Sequence, residues 1–203
     1  MTAPQDIQEP GLTIAYNPAT GEEIGHVPNT DLNKLPEMFA HARSAQKIWA
    51  KRTFKERARA LRKMRDYIVA NADELSDIVS KSNGKTRIDA LATEVLPCSL
   101  ACDWYSRHAE KVLKDKKLPI DSILFFNKRT VMQRKALGVV GIISPWNYPL
   151  SIPFGEVAMG LMAGNAILLK VAAATPLVGE AINRIIEAAN LPRVAIGDPE
   201  KLK

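Results

Sequence analysis

The hydrophobic pattern of the chain changes period along its length. Phe54, Ala58, Leu61, Met64, Ile68, Ala72, Leu75 and Val79 recur at steps of three and four, which is the spacing of one helical face, and basic residues fill the positions between them. The same steps join Ile88, Leu91, Val95, Cys98, Cys102, Tyr105, Ala109 and Val112, so a long helix is predicted over 88–112 with both cysteines on its buried seam. Pro97 falls inside it. With no N–H to donate, that proline predicts a kink or a break there.

Further on, the period shortens. Ile123-Leu-Phe-Phe126 and Thr130-Val-Met-Gln-Arg-Lys135 flank Asn127-Lys-Arg129 and predict a β-hairpin with a three-residue turn. Val139 to Ile143 is a short β-branched run bracketed by glycines, the pattern of a strand buried on both faces. Leu150, Phe154, Val157, Ala158, Leu161 and Met162 return to helical spacing, and Gly164 is placed to end that helix. Asn165-Ala-Ile-Leu-Leu-Lys170 predicts a second buried strand. Thr175 at the N-cap and Pro176 at N1 open a helix over Leu177 to Ala189. Strand, helix, strand, helix with short joins is a parallel βαβ crossover, whose ligands sit outside the carboxyl ends of the strands. The predicted class is therefore α/β, an incomplete Rossmann-like parallel βαβ sheet preceded by a helical N-terminal region and a projecting β-hairpin. In residues, a structureless tail covers 1–12, the N-terminal strands and helices 13–117, the hairpin 118–136, and the start of the nucleotide-binding unit 137–203.

The candidate chemistry lies just after the first of these strands. In Pro145-Trp-Asn-Tyr-Pro149 the two prolines prevent a helix from starting between them and push the residue before each toward extended geometry. A stiff loop of this kind presents one side-chain amide, Asn147. Two readings of that amide are open: it hydrogen-bonds its own turn, or it donates to an oxyanion. Lys170, at the end of the second strand, is either a solvated lysine or a group facing the same crevice as Asn147.

With those segments in view, the chain resembles the NAD(P)-dependent aldehyde dehydrogenase superfamily from about Tyr16 to Pro192. The resemblance is carried by Leu137-Gly-Val-Val-Gly141, Pro145-Trp-Asn-Tyr-Pro149, Ala163-Gly-Asn165 with Leu169-Lys170, Thr175-Pro176, and Glu187-Ala-Ala-Asn-Leu-Pro192. Asn17-Pro-Ala-Thr-Gly-Glu22 looks like the family's opening turn, Trp49, Arg57 and Leu61 fall in its early helices, and Gly84-Lys85 fits its loop before the long helix. The resemblance implies an aldehyde substrate oxidised to an acid with hydride transfer to NAD or NADP. Asn147 would donate to the oxygen of the thiohemiacetal formed when a cysteine attacks the aldehyde. Donors of this kind are commonly worth roughly 3–4 kcal/mol of barrier. Ile143, Ser144, Pro145, Trp146 and Asn147 would line the cofactor, with Lys170 reaching its adenosine ribose. Where the family usually carries a ribose-gripping glutamate, this chain has Ala173. A carboxylate there would repel a 2′-phosphate and favour NAD, so its absence leaves NAD and NADP both open.

The family's nucleophilic cysteine, its catalytic glutamate and its glycine-rich pyrophosphate segment match nothing in these residues. The expectation is a chain inactive on its own. The alternative is a non-catalytic fragment that associates with itself or with a family chain through the hairpin, which in the family belongs to the oligomerisation element. Cys98 and Cys102, on an apolar seam, read as core thiols and not as replacement nucleophiles. No Cys-x-x-Cys is present and His26, His41 and His108 are scattered, so no metal site is predicted.

Composition changes this picture only at the surface. The 203 residues carry 28 Lys and Arg against 22 Asp and Glu, a formal net charge of +6. The excess is dense over Arg43, Lys47, Lys51, Arg52, Lys55, Arg57, Arg59, Arg62, Lys63 and Arg65, and again over Lys111, Lys114, Lys116 and Lys117. The apolar stripe between them assigns these residues to solvated helix faces, and no nucleic-acid-binding motif accompanies them. No run is long enough to span a bilayer, and the start Met1-Thr-Ala-Pro-Gln-Asp-Ile lacks the regions of a secretory signal. The expected setting is the cytoplasm, without membrane or nucleic-acid partners.

Overall fold

The computed structural model describes residues 11–119, 124 and 126–191. Strands β1 (Leu12–Tyr16) and β2 (Glu23–Pro28) pair antiparallel around the Asn17–Glu22 turn, closed by backbone bonds between Asn17 and both Gly21 and Glu22. A short 3₁₀ turn leads into α1 (Leu35–Trp49). Helix α2 (Phe54–Ala70) opens on a full capping box: Thr53 accepts from the Glu56 N–H while the Glu56 carboxylate accepts from the Thr53 N–H. That backbone bond, with Arg52 alongside, lowers the Glu56 carboxyl to about 2. Helix α3 (Ala72–Asn83) stops at Gly84, whose φ of +80° is the left-handed C-cap that glycine adopts without strain.

The long helix of the sequence pattern is three pieces. A single turn α4 (Arg87–Ala90) runs into a π turn over Leu91–Val95, and α5 (Leu96–Leu113) resumes with Pro97 in its first turn. The break has a direct cause: a proline at 97 cannot donate to the carbonyl four residues back, and its ring crowds that carbonyl. The ladder widens, so that the Leu96 N–H reaches the Leu91 carbonyl. Widening also rotates the face. Cys98, Cys102 and Ala109 are buried as the pattern predicts, but Ile88, Leu91 and Val112 are exposed, and Ala90 and Glu94 are buried ahead of the proline.

Of the expected hairpin, the arm Thr130–Met132 (β4) is a strand, and it lies antiparallel to Lys116–Leu118 (β3). Ile123 and Phe125 lie outside the described residues, while Leu124 and Phe126 are exposed. The amide of Gln133 donates to the Asp115 carboxylate at 3.0 Å, tying β4 to the segment that leaves α5.

The parallel pair forms as predicted, β5 (Val139–Ile143) beside β6 (Ala166–Lys170), with α6 (Ser151–Met162) between them in sequence and α7 (Pro176–Glu187) after. The Asn165 carboxamide oxygen accepts from the Gly138 N–H at the start of the pair. Burial on both faces is not found. Ile142 is buried, but Gly141 is exposed and Ile143 is 83% exposed, because the side chains alternate and only one face of β5 is covered. Thr175 is the N-cap of α7 and Pro176 its first residue, as predicted, although the buried Thr175 hydroxyl makes no capping bond and has no partner among the described residues.

The core lies where α2, α5 and α6 meet, around Leu61, Met64, Ile68, Cys102, Phe154 and Leu161, and α7 extends it with Val178, Ile182 and Ile185. The Trp49 indole N–H donates to the Leu161 carbonyl at 2.7 Å, tying α1 to the last turn of α6. Just past that turn Gly164 has φ +88°, and an added Cβ would lie 2.7 Å from Nη1 of Arg57. Gly164→Ala should therefore lower stability by about 1–3 kcal/mol, through left-handed strain and the displaced guanidinium. A urea unfolding curve checks this as a lower midpoint at unchanged slope.

Candidate functional site

The site is built from the loop that leaves β5. Ser144 extends the parallel ladder by one residue, its N–H donating to the Lys170 carbonyl at 3.0 Å, so the end of β5 and the end of β6 are held side by side. Pro145 to Tyr148 are exposed at this edge, and Pro149 and Leu150 turn back into the core. Asn147 stands on the exposed stretch. Its carboxamide makes no hydrogen bond to any described residue. Lys170, on the adjacent strand, is exposed, and Ala173 is exposed three residues beyond.

What makes the loop rigid is a set of contacts that the sequence pattern did not single out. Glu94, on the π turn, is fully buried. One of its oxygens pairs with the Lys85 ammonium, and the other accepts from the N–H groups of Leu150 at 3.0 Å and Ser151 at 2.9 Å. A carboxylate thus caps the first turn of α6, where orphan N–H groups and the helix dipole favour negative charge. Lys85 also lies 3.8 Å above the ring centre of Tyr148. The Asn83 amide donates to the Trp146 carbonyl at 2.8 Å. The end of α3 and the π turn therefore grip the loop on both sides of Asn147. Pro97 was the available signal for this arrangement, since a helix that breaks can turn an acid inward.

The edge formed by Ser144–Asn147, Lys170 and Ala173 is mostly exposed and free of acids. The segment from Val171 to Ala174 carries only small apolar side chains, no acid lies between Lys170 and Pro176, and α7 starts directly behind it. Gly179 of α7 lets the helix pack closely, since a Cβ there would meet Val171 at 2.8 Å.

The cysteines are elsewhere, on α5 within the core. Burial raises the Cys102 thiol to about 12, with Asp103 adding to the shift and Arg65 opposing it. Burial, then Cys102 and Glu94, push Cys98 well above its ordinary value. Neither is a thiolate at neutral pH.

A parallel strand pair joined through a helix, with a rigid, amide-bearing loop at its carboxyl end, places the chain in the α/β class. Comparison with known proteins specifies it. The profile of the aldehyde dehydrogenase family matches residues 8–197, and the chain belongs to that family. It is 35% identical over 174 residues to a Mycolicibacterium smegmatis protein assigned as a succinate-semialdehyde dehydrogenase [NADP(+)], covering 86% of this chain and 33% of that one. Among solved structures, an aldehyde dehydrogenase from Brucella melitensis biovar abortus 2308 superposes with a TM-score of 0.84 at 30% identity, over 94% of this chain and 39% of that one. The succinate-semialdehyde dehydrogenase of Burkholderia pseudomallei gives 0.83 at 31% identity, over 93% and 39%. The chain spans about a third of the length of the curated relatives named first.

Two predictions follow from the buried groups. Glu94→Ala should cost about 3–5 kcal/mol, because it leaves the Lys85 charge and two N–H groups without their acceptor; chemical denaturation measures the loss, and Glu94→Gln should recover part of it. Both thiols should resist alkylation in the folded chain and react on unfolding. Because the folded Cys102 pKa of about 12 lies above its ordinary 9.0, the unfolded chain holds fewer protons between those values. Stability is then full below pH 9.0 and falls as pH rises toward 12, a decline that Cys102→Ala should reduce.

Proposed function

We propose that this chain supplies the oxyanion donor and one wall of the NAD(P) site of an aldehyde-oxidising dehydrogenase, and that alone it does not turn aldehyde over. The observation that carries this reading is the free carboxamide of Asn147, on a loop braced from both sides at the carboxyl end of β5. As a thiolate adds to an aldehyde carbonyl, negative charge moves to the carbonyl oxygen, and a fixed amide N–H stabilises it without reorganising. Lys170 would meet the ribose hydroxyls, and the acid-free edge near Ala173 would tolerate a 2′-phosphate. The names of the relatives make succinate semialdehyde and NADP the first pair to try. The thiolate itself has no source in this chain, since Cys98 and Cys102 are buried and held protonated.

A second reading, association with a family chain, is supported by apolar side chains left uncovered at the sheet edge and around the β3–β4 pair: Ile143, Leu137, Leu124 and Phe126. One experiment tests both. The purified, folded chain is given succinate semialdehyde with NAD or NADP and monitored for reduced cofactor, alone and with a cysteine-bearing family chain whose own Asn147 counterpart has been replaced. No turnover alone is expected. Rescue by the mixture that is lost with Asn147→Ala would support association. Turnover by the isolated chain would overturn the assignment of its thiols to the core.

A further inference from the structure

Asn147 and Lys170 stand at the carboxyl ends of β5 and β6. At the opposite, amino ends the structure holds a recess of about 370 Å³ whose lining includes Gln46, Phe54, Arg57, Arg134 and Lys135. Arg57 is its unusual member. It is only 7% exposed, its Nε is buried without a hydrogen-bond partner, and no described residue forms an ion pair or hydrogen bond with its guanidinium. Its one specific contact is the face of Phe54, with Cζ 4.6 Å from the ring centre. The last turn of α6 ends beside it, and the dipole there offsets part of the charge but offers no discrete acceptor. A buried cation left in this state is costly unless an anion joins it.

The rest of the lining carries the same sign. Arg134 and Lys135 contribute two further cations, neither paired with a described residue, and no carboxylate among the described residues lines the recess. The Gln46 amide is already committed to the Gly164 carbonyl at 3.1 Å. A guanidinium presents its N–H groups in a planar fork suited to two oxygens of one group.

We propose that this recess is a phosphate site, in which Arg57 takes two oxygens of a free or singly esterified phosphate and Arg134 and Lys135 neutralise its second charge. A dianion is favoured over a carboxylate because three cations face it and no acid does. The site is separate from the dinucleotide edge and independent of aldehyde oxidation, since it lies at the other end of the strands.

The test is calorimetric titration of the purified chain with inorganic phosphate at fixed ionic strength, with a sugar phosphate, succinate and chloride in parallel. Saturable binding of phosphate is expected, with binding of the sugar phosphate marking an ester as the occupant. Arg134→Ala combined with Lys135→Ala, both at exposed positions, should weaken it about ten-fold or more. Arg57→Met should abolish it where the variant folds, and Lys170→Ala should leave it unchanged. Non-saturable heats equal to those of chloride, tighter binding of succinate, loss with Lys170→Ala, or full affinity in the Arg134 and Lys135 double variant would each overturn the proposal.

Discussion

The rest of the structure depends on one buried carboxylate. Glu94 has no exposure, so its charge is tolerable only because three partners meet it: the Lys85 ammonium and the first two N–H groups at the head of α6. The partners come from two segments distant from each other in the chain, and satisfying all of them fixes both relative to Glu94. Lys85 follows the glycine stop of α3, Leu150 and Ser151 follow the Pro145–Pro149 loop, and Glu94 itself sits on the turn that Pro97 forces open. The loop bearing Asn147 is thus held by polar contacts made beneath it. Its own amide is left free, which is the condition for acting on something else.

Helix α6 links the two ends of the parallel pair electrostatically. At its N-terminus stands a buried acid, Glu94, and beside its C-terminus a buried base, Arg57, each on the side the helix dipole favours. The two differ in how well they are satisfied. Glu94 has an ion-pair partner and two N–H donors, whereas Arg57 has an aromatic face and no acceptor among the described residues. That contrast separates a structural charge from one that still calls for a ligand.

Much of the fold was legible because short-range pattern and packing agree. The runs Val139–Ile143 and Ala166–Lys170 read as strands and are strands, and Leu61, Met64 and Ile68 read as core and lie within it. The stop at Gly164 follows from conformational preference alone. The loop at Asn147 was legible for the same local reason, two prolines in five residues. The pattern failed where distant groups compete. Ile88 and Leu91 had the right spacing for the seam, but the π turn moved the inward face to Ala90 and Glu94. Arg57 was counted with the solvated basic residues, yet Phe54 and the end of α6 enclose it. The β3–β4 pairing is accompanied by Gln133 reaching Asp115, a contact across 18 residues that no periodicity records.

The sequence by itself determined the family, the order of elements, the parallel βαβ unit and the position of one amide on a stiff loop. These properties rest on apolar period, on glycine and proline geometry, and on motifs read in order. Only the tertiary structure decided which polar groups are buried and what satisfies them. Burial is a property of the assembled surfaces and not of any one residue type, so a charged side chain is solvated at Lys55, internally paired at Glu94 and, among the described residues, left without an acceptor at Arg57. Hydrophobic spacing fixes where a helix turns its face, but the pairing of a buried charge is settled only when distant segments meet.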